Sequence, residues 1–258
     1  MIAWFCPARK IDMYLFNRIE LKYLIDRTTR TALEKDIAAL MEIDRFSNGD
    51  GGYIVRSLYF DTHDYMAYHE KMAGMAVRHK VRVRAYGEEP KANDIIRLEV
   101  KSRYLSFIHK TTTNMSLCDF RNVEQAIYNR TLPDQYKHGH ASADNFFRIQ
   151  KLYNMMPVIL IQYRRQAYEK NELGRIRVNF DDELLSTRQL NLFGPLKADL
   201  PILRYGKSIF EIKIDGGLPF WLHTLIAKYN LQNLALSKYC MAVRCSARMS
   251  ATAREQVL

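Results

Sequence analysis

About eight stretches of this chain alternate apolar and polar residues with a period of two, and the polar partner is mostly a formal charge. Period two marks a β-strand, because successive side chains point to opposite faces of a sheet. The stretches run from Arg18 to Tyr23, Tyr53 to Asp61, Val77 to Tyr86, Ile96 to Tyr104, Ser106 to Thr113, Val158 to Tyr168, Arg175 to Asp181 and Ser208 to Asp215. In the third, Arg78, Lys80, Arg82 and Arg84 share one face. Side chains two apart on a strand stand roughly 7 Å from each other. At an effective dielectric near ~20, each neighbouring like pair then repels by about 2 kcal/mol, less in salty water. Folding does not ask for such a row, whereas a polyanion would turn its cost into affinity.

The same parity groups Arg97, Glu99, Lys101 and Arg103 opposite Leu98 and Val100. It groups Arg175, Arg177, Asn179 and Asp181 opposite Ile176, Val178 and Phe180, and Glu211, Lys213 and Asp215 opposite Phe210, Ile212 and Ile214. Arg18, Glu20 and Lys22 repeat the theme in the first stretch. Two architectures produce this pattern. An open antiparallel sheet packs its apolar face on helices and shows its charged face to water. Alternatively, the sheet closes into a barrel with the charges inside, where phosphate and a divalent cation would pair both signs.

Helical spacing falls between these stretches, over Thr28 to Asp44, Asp119 to Asn129, Ala143 to Met155, Pro219 to Tyr229 and Ser237 to Met249. The first has threonines available as an N-cap, and Pro157 bars extension of the third. Many strands with helices set between and after them predict an α+β domain with antiparallel pairing. No linker or repeat divides residues 1–258, so a single domain is expected.

Lys and Arg total 39 against 28 Asp and Glu, a net charge of +11 that favours an anionic partner. No run of about 18 apolar residues exists for a membrane helix, and Cys6, Pro7, Arg9, Lys10 and Asp12 interrupt the apolar start before a signal core forms. A cytoplasmic setting is the expectation. Cys6, Cys118, Cys240 and Cys245 have no metal or redox spacing, and His138 and His140 read as a solvated loop pair. No Walker loop or kinase motif set is present.

Eight motifs, in order along nearly the whole chain, resemble the VTC domain. They are Glu20-Leu21-Lys22-Tyr23, Arg56 to Thr62, Arg78 to Gly87, Leu98-Glu99-Val100-Lys101, Tyr163 to Tyr168, Arg177 to Asp181, Phe210-Glu211-Ile212-Lys213 and Ser237-Lys238-Tyr239. That domain is the catalytic part of the vacuolar transporter chaperone, a polyphosphate polymerase among the triphosphate tunnel metalloenzymes. The resemblance implies a closed antiparallel β-barrel of about eight strands with a charged lumen and helices packed outside. It implies an ATP-dependent transfer of the terminal phosphate to a growing inorganic polyphosphate chain. Lys22, Arg82, Arg84, Lys101, Lys110, Arg165, Arg177 and Lys238 match its phosphate-binding and catalytic positions, and Glu211 its ligand for Mn²⁺ or Mg²⁺. ATP and polyphosphate are the implied partners, with a separate membrane protein to move the product at the inner face of a membrane. Ala235 stands where some relatives carry a further lysine, which thins the positive lining there.

Other readings of these residues stay open. Arg82 and Arg84 also suit a solvated strand face, and Glu211 an ordinary ion pair. Glu20 and Glu99 suit either metal ligation or pairing with neighbouring cations. Tyr59 and Tyr86 read as packing residues, and His79 and His109 as ordinary strand residues. A metal-dependent triphosphatase, or a non-catalytic module binding polyphosphate or RNA, would present a similar face. RNA is disfavoured because no aromatics interleave with the cations between Arg78 and Arg84.

Overall fold

The computed structural model describes residues 18–47, 51–131, 141–172, 174–188, 190–194, 196 and 200–255. Cys6, His138 and His140 lie outside the described residues. Each stretch of charged alternation becomes a strand. These are β1 (Arg18–Asp26), β3 (Tyr53–Asp61), β4 (Val77–Tyr86), β5 (Ile95–Tyr104), β6 (Phe107–Ser116), β7 (Met156–Asn171), β8 (Arg175–Thr187) and β10 (Lys207–Asp215). They form one antiparallel sheet in the order β1-β10-β8-β7-β3-β4-β5-β6. Two short strands were not foreseen: β2 (Glu42–Ile43) pairs with β7, and β9 (Leu200–Pro201) with β8.

The sheet curls but does not close, contrary to the barrel expected from the resemblance. Its ends, β1 and β6, are not strand partners of each other. The reason lies at the outer edge of β1. Lys22 N–H donates to Asn233 Oδ1 at 3.1 Å, and Leu234 N–H donates to Lys22 O at 2.8 Å. The segment before the last helix therefore uses the backbone groups that β6 would need. The curl still brings the two ends of the sheet together through side chains, since Lys101 Nζ on β5 lies 3.1 Å from Glu20 Oε2 on β1.

Among the described residues six helices accompany the sheet: α1 (Arg27–Leu40), α2 (Met66–Met72), α3 (Leu117–Asn129), α4 (Ala141–Leu152), α5 (Phe220–Lys228) and α6 (Lys238–Glu255). Asp26, not a threonine, caps α1 by accepting from Thr29 N–H at 2.8 Å. This helix ends at Leu40, short of the Asp44 that its periodicity predicts. Met41 is already extended, and Asp44 N–H donates to Ala167 O of β7 at 2.9 Å. Pairing with the sheet thus overrides the helical pattern of the last four residues. Ser116 caps α3, accepting from Asp119 N–H at 3.0 Å.

Apolar faces find three separate covers. Leu58, Phe60, Val81, Val83, Leu98 and Val100 pack against Phe120, Val123, Ile127, Phe146 and Ile149 of α3 and α4. Phe180, Phe210, Ile212 and Ile214 pack against Leu33 and Ile37 of α1 and Leu222 and Leu225 of α5. The third cluster corrects the expectation that all helices lie outside. Val55, Tyr59, Ile161, Tyr163 and Ile209 share the parity of the charged face, and α6 covers them with Tyr239, Cys240 and Val243. The ring of Tyr239 stacks on Tyr59 with centroids 5.2 Å apart. Its hydroxyl hydrogen-bonds the buried carboxylate of Asp61, which also accepts from Ala67 N–H at 2.8 Å and Tyr68 N–H at 3.1 Å. One carboxylate thereby ties α6, α2 and β3 together.

The turn into β3 sets the approach of β3 to β7. Gly52 has φ +94, and a Cβ there would stand 2.1 Å from Arg165 O, whereas its neighbour Gly51, at φ +79, has open space around it. Gly51→Ala is expected to cost about 1 kcal/mol for the left-handed backbone alone. Gly52→Ala should cost more than about 2 kcal/mol, because β7 itself must move. Urea midpoints of the two variants check this, and equal midpoints would show that the β3–β7 approach is not fixed by Gly52.

Candidate active site

Curling of the sheet gathers the charged row of each strand, and buried carboxylates sort the gathered cations into groups. The first group surrounds Glu99 on β5, 2% exposed. Arg82 Nε on β4 lies 2.6 Å from its Oε2, Arg84 Nε lies 3.9 Å away, and Lys110 Nζ on β6 contacts its Oε1. Burial would raise the Glu99 pKa, but Arg82, Arg84 and Lys110 outweigh it and hold this carboxyl far below the usual range. The same exchange, burial against Tyr59 and Glu99, holds Arg82 well above its ordinary value. Tyr59, expected to be a packing residue, also accepts a hydrogen bond from Arg82 Nη1 at 3.0 Å. Arg84 Nε donates to Ser57 Oγ at 3.1 Å.

The second group surrounds Asp181 on β8, fully buried at 0% exposed. Arg165 on β7 meets it with a fork, Nε to Oδ1 at 2.6 Å and Nη2 to Oδ2 at 2.8 Å. Lys238, the first residue of α6, places Nζ 2.5 Å from Oδ2. Arg165 Nη2 also reaches Glu211 Oε2 on β10 at 3.5 Å, and Lys213 and Lys22 stand 3.4 Å and 3.6 Å from the Glu211 carboxylate. Burial opposes ionisation of Glu211, yet Lys213, Lys238, Arg165 and Lys22 bring its pKa well below the ordinary carboxyl value. Burial opposes the charge on Lys238 in turn, and Asp181 restores it.

Tyr163 joins the two groups. Its hydroxyl accepts from Arg84 Nη2 at 3.3 Å, while Arg165 and Lys238 sit 5.2 Å and 5.0 Å from its ring centroid. Glu20 closes the circuit on the other side. It contacts Lys22, which also stands beside Glu211, and pairs with Lys101. Among the residues singled out in the sequence, Lys22, Lys101, Arg165, Lys238 and Glu211 thus belong to one connected set, with Arg82, Arg84 and Lys110 adjoining it through Tyr163.

Arg177 stands apart from the residues singled out with it. Its Nη2 lies 2.7 Å from Asp44 Oδ2, its Nη1 lies 2.5 Å from Glu169 Oε1, and it donates to Tyr53 Oη at 3.1 Å. It borders a cavity of about 880 Å³ shared with Asp44, Phe46 and Glu169. Asn179, paired with Glu211 in the strand register, accepts from Arg177 Nε at 3.3 Å, and its buried Nδ2 has no hydrogen-bond partner among the described residues. Two lysines on the charged face are further additions to the set. Lys213 and Lys80 are both pushed down to about 8, chiefly by burial. Lys80 Nζ donates to Ser237 Oγ at 3.1 Å, and among the described residues no ion pair includes it. Its place in the Arg78 to Arg84 row is the sequence signal that finds it. Asp181 was visible as a member of a charged row and of a motif, and Tyr163 as a member of a motif, but their roles depend on contacts between distant strands. His79 is an ordinary buried strand residue, bonded to Ser102 Oγ at 2.8 Å.

Among the described residues no cluster of three or more His, Cys, Asp and Glu exists. The Glu20 and Glu211 carboxylates, both beside the Lys22 ammonium, are a two-ligand set of hard oxygen donors. Such a set fits Mg²⁺ or Mn²⁺, which commonly take one or two protein carboxylates and complete their shell with water and phosphate oxygens. No helix among the described residues is long and apolar enough to cross a membrane.

Solved structures are similar to this chain to different degrees. HpAC1 from Hippeastrum, a protein with a dominant triphosphatase activity, superposes with a TM-score of 0.51 at 13% identity, covering 88% of this chain and 95% of that one. A candidate adenylate cyclase from Bacillus halodurans gives 0.46 at 15% identity over 85% and 93% of the two chains. PH1819 from Pyrococcus horikoshii OT3 gives 0.47 at 11% identity over 88% and 98%. No curated protein matches the chain. The VTC domain profile matches residues 17–247, which take in every strand and most of α6, and the chain belongs to the VTC domain family.

Proposed function

We propose that this protein is a metal-dependent phosphotransferase that moves the terminal phosphate of ATP onto a growing inorganic polyphosphate chain. The observation that carries the reading is the gathering of seven cations on one curled face: Arg82, Arg84 and Lys110 around Glu99, Arg165 and Lys238 around Asp181, and Lys22 and Lys101 at Glu20 and Glu211. Phosphoryl transfer asks a protein for positioning and charge stabilisation more than for a nucleophilic side chain. A terminal oxygen of the acceptor chain attacks the γ-phosphorus, the bond to the β–γ bridging oxygen breaks, and ADP leaves with that electron pair. Arg82, Arg84 and Arg165 offer planar forks for phosphate oxygens, and the lysines act as point charges. Glu99 and Asp181 fix those cations in place before substrate arrives, so little reorganisation accompanies the reaction. Lys22, Lys101, Lys110 and Lys238 extend the same grip along the chain of phosphates, and Asn179 Nδ2, without a hydrogen-bond partner among the described residues, is a further donor for it. A divalent cation held by Glu211 and Glu20 would neutralise charge on the phosphate oxygens.

Incubation with ATP and Mn²⁺ should yield ADP and an acid-labile polymer resolved on a gel. Free phosphate without polymer would assign the protein to the triphosphatases, with water as the acceptor. Glu211→Gln should lower metal-dependent turnover by roughly a hundredfold or more. Turnover that survives with its metal dependence intact would remove Glu211 from this role.

Lys80 gives a test with opposite signs. Its folded-state pKa, near 8, lies below the ordinary value of 10.5, so the unfolded chain holds its proton more tightly. Its charge therefore costs stability fully below pH 8, and the cost fades as pH rises towards 10.5. Lys80→Met should stabilise the substrate-free protein by about 1 kcal/mol or more at neutral pH, with the gain shrinking above pH 8. The same change should weaken polyphosphate binding by roughly tenfold. Denaturant titrations and binding isotherms at two pH values check both, and a variant that loses stability without losing affinity would make Lys80 a structural residue.

A further inference from the structure

One end of the sheet carries an apolar cluster that the phosphate chemistry does not use. Met75, Val77, Tyr104, Leu105, Phe107 and Ile108 are all exposed, between 44% and 68%. They come from the turn between β5 and β6 and the starts of β4 and β6. The strand register sets Val77 beside Tyr104 and Tyr104 beside Phe107, and Leu105 N–H donates to Ala76 O at 2.8 Å. Val77, Tyr104 and Phe107 therefore lie side by side, Met75 and Leu105 sit on the turns beside them, and Ile108, opposite Arg103, marks the charged face of the same tip. Leu105 is the most exposed of them and sits at φ +57, a backbone region that suits Gly or Asn and is costly for Leu. Neither the turn nor the core asks for a leucine there. An apolar residue kept in a strained and solvated position points to a use outside the fold.

Cations flank the tip. Arg78 and Arg103 face each other directly in the β4–β5 register, an arrangement that destabilises a sheet unless an anion lies between them. Each is anchored to the tip's own backbone. Arg78 Nη1 donates to Met75 O at 2.5 Å, and Arg103 Nε to Leu105 O at 2.6 Å. Lys71, Lys80 and Lys101 line a cavity of about 450 Å³ with these arginines and Ile108. The carboxylate bordering that cavity, Glu20, is already paired with Lys22 and Lys101. Glu70 is the acidic group felt by Arg78.

We propose that this end of the protein docks on an anionic lipid bilayer, with the Tyr104 to Ile108 turn in the boundary between headgroups and acyl chains and Arg78 and Arg103 on lipid phosphates. Apolar and aromatic side chains ringed by Lys and Arg are the chemistry of such interfaces. A second copy of the chain is a poorer occupant, since symmetric contact would bring Arg78, Arg103 and Lys71 against their own counterparts. An acidic protein fits the charge, but the apolar residues make a tip rather than a groove. The proposal stands independently of the phosphotransferase reading, because lipid binding needs no nucleotide.

Vesicle flotation without nucleotide tests it. The protein should float with phosphatidylcholine vesicles holding about 30 mol% phosphatidylglycerol and not with phosphatidylcholine alone, and about 0.5 M salt should release it. The double variant L105N/F107S, whose Asn suits the left-handed turn, should bind these vesicles roughly tenfold more weakly. Its circular dichroism and its affinity for polyphosphate in vesicle-free buffer should match the parent, which separates loss of docking from loss of folding or of the phosphate site. Failure of the parent to float would overturn the proposal, as would equal flotation of the variant. Dimerisation that the double variant abolishes would also overturn it, by assigning the tip to a second copy.

Discussion

Gathering cations from many strands onto one curled face is the constraint on which the rest of this structure depends. Buried unpaired charge is too costly to keep, so each group of cations needs an acceptor that folds with it. Glu99 serves Arg82, Arg84 and Lys110, and Asp181 serves Arg165 and Lys238. Glu211 and Glu20 share Arg165, Lys213, Lys22 and Lys101. The pairing is deliberately incomplete in number, since one carboxylate commonly answers two or three cations. What remains is a preorganised excess of positive charge, held in place by hydrogen bonds that do not need a ligand to form.

That requirement also explains the shape. A flat sheet would keep β1 and β5 far apart, yet the Glu20 carboxylate pairs with Lys101 across the curl. Full closure by strand pairing is blocked because the segment around Asn233 and Leu234 bonds to the β1 edge. The same segment leads into α6, which starts on the charged face and brings Lys238 to Asp181. Leaving the ring open is thus linked to delivering one of the site's cations from a helix instead of a strand. Asp61, bonded to Tyr239 and to the backbone of α2, fixes where that helix begins.

The strands and their charged rows were legible in the sequence because parity in a strand is a local property. Lys22, Arg82, Arg84, Lys101 and Glu211 share the face that parity gives them for that reason, though shared parity alone does not assign a role, and Lys238 arrives on a helix that parity does not govern. Closure of the sheet was not legible, since it depends on which segment reaches the β1 edge, a contact between residues 22 and 233. Arg177 shows the same limit. Its parity is right, but Asp44, expected at the end of a helix, is drawn into sheet pairing and takes the guanidinium. Lys80 was readable as a member of a row, whereas its half-buried place, without an ion pair among the described residues, follows from the packing around Ser237.

The way like charges are handled differs along the face. In the register of β4 and β5, Arg82 lies opposite Glu99, a pairing resolved within the protein. One step along, Lys80 lies opposite Lys101, and one step further Arg78 lies opposite Arg103. Lys101 finds Glu20, but the two arginines spend donors on backbone carbonyls of the apolar tip. The interior of the face therefore carries its own counter-charge, while its rim is left for an external anion. A row of this kind is sorted by depth: at its centre the chain supplies carboxylates that hold the cations in place, and at its rim the cations are left with backbone carbonyls alone.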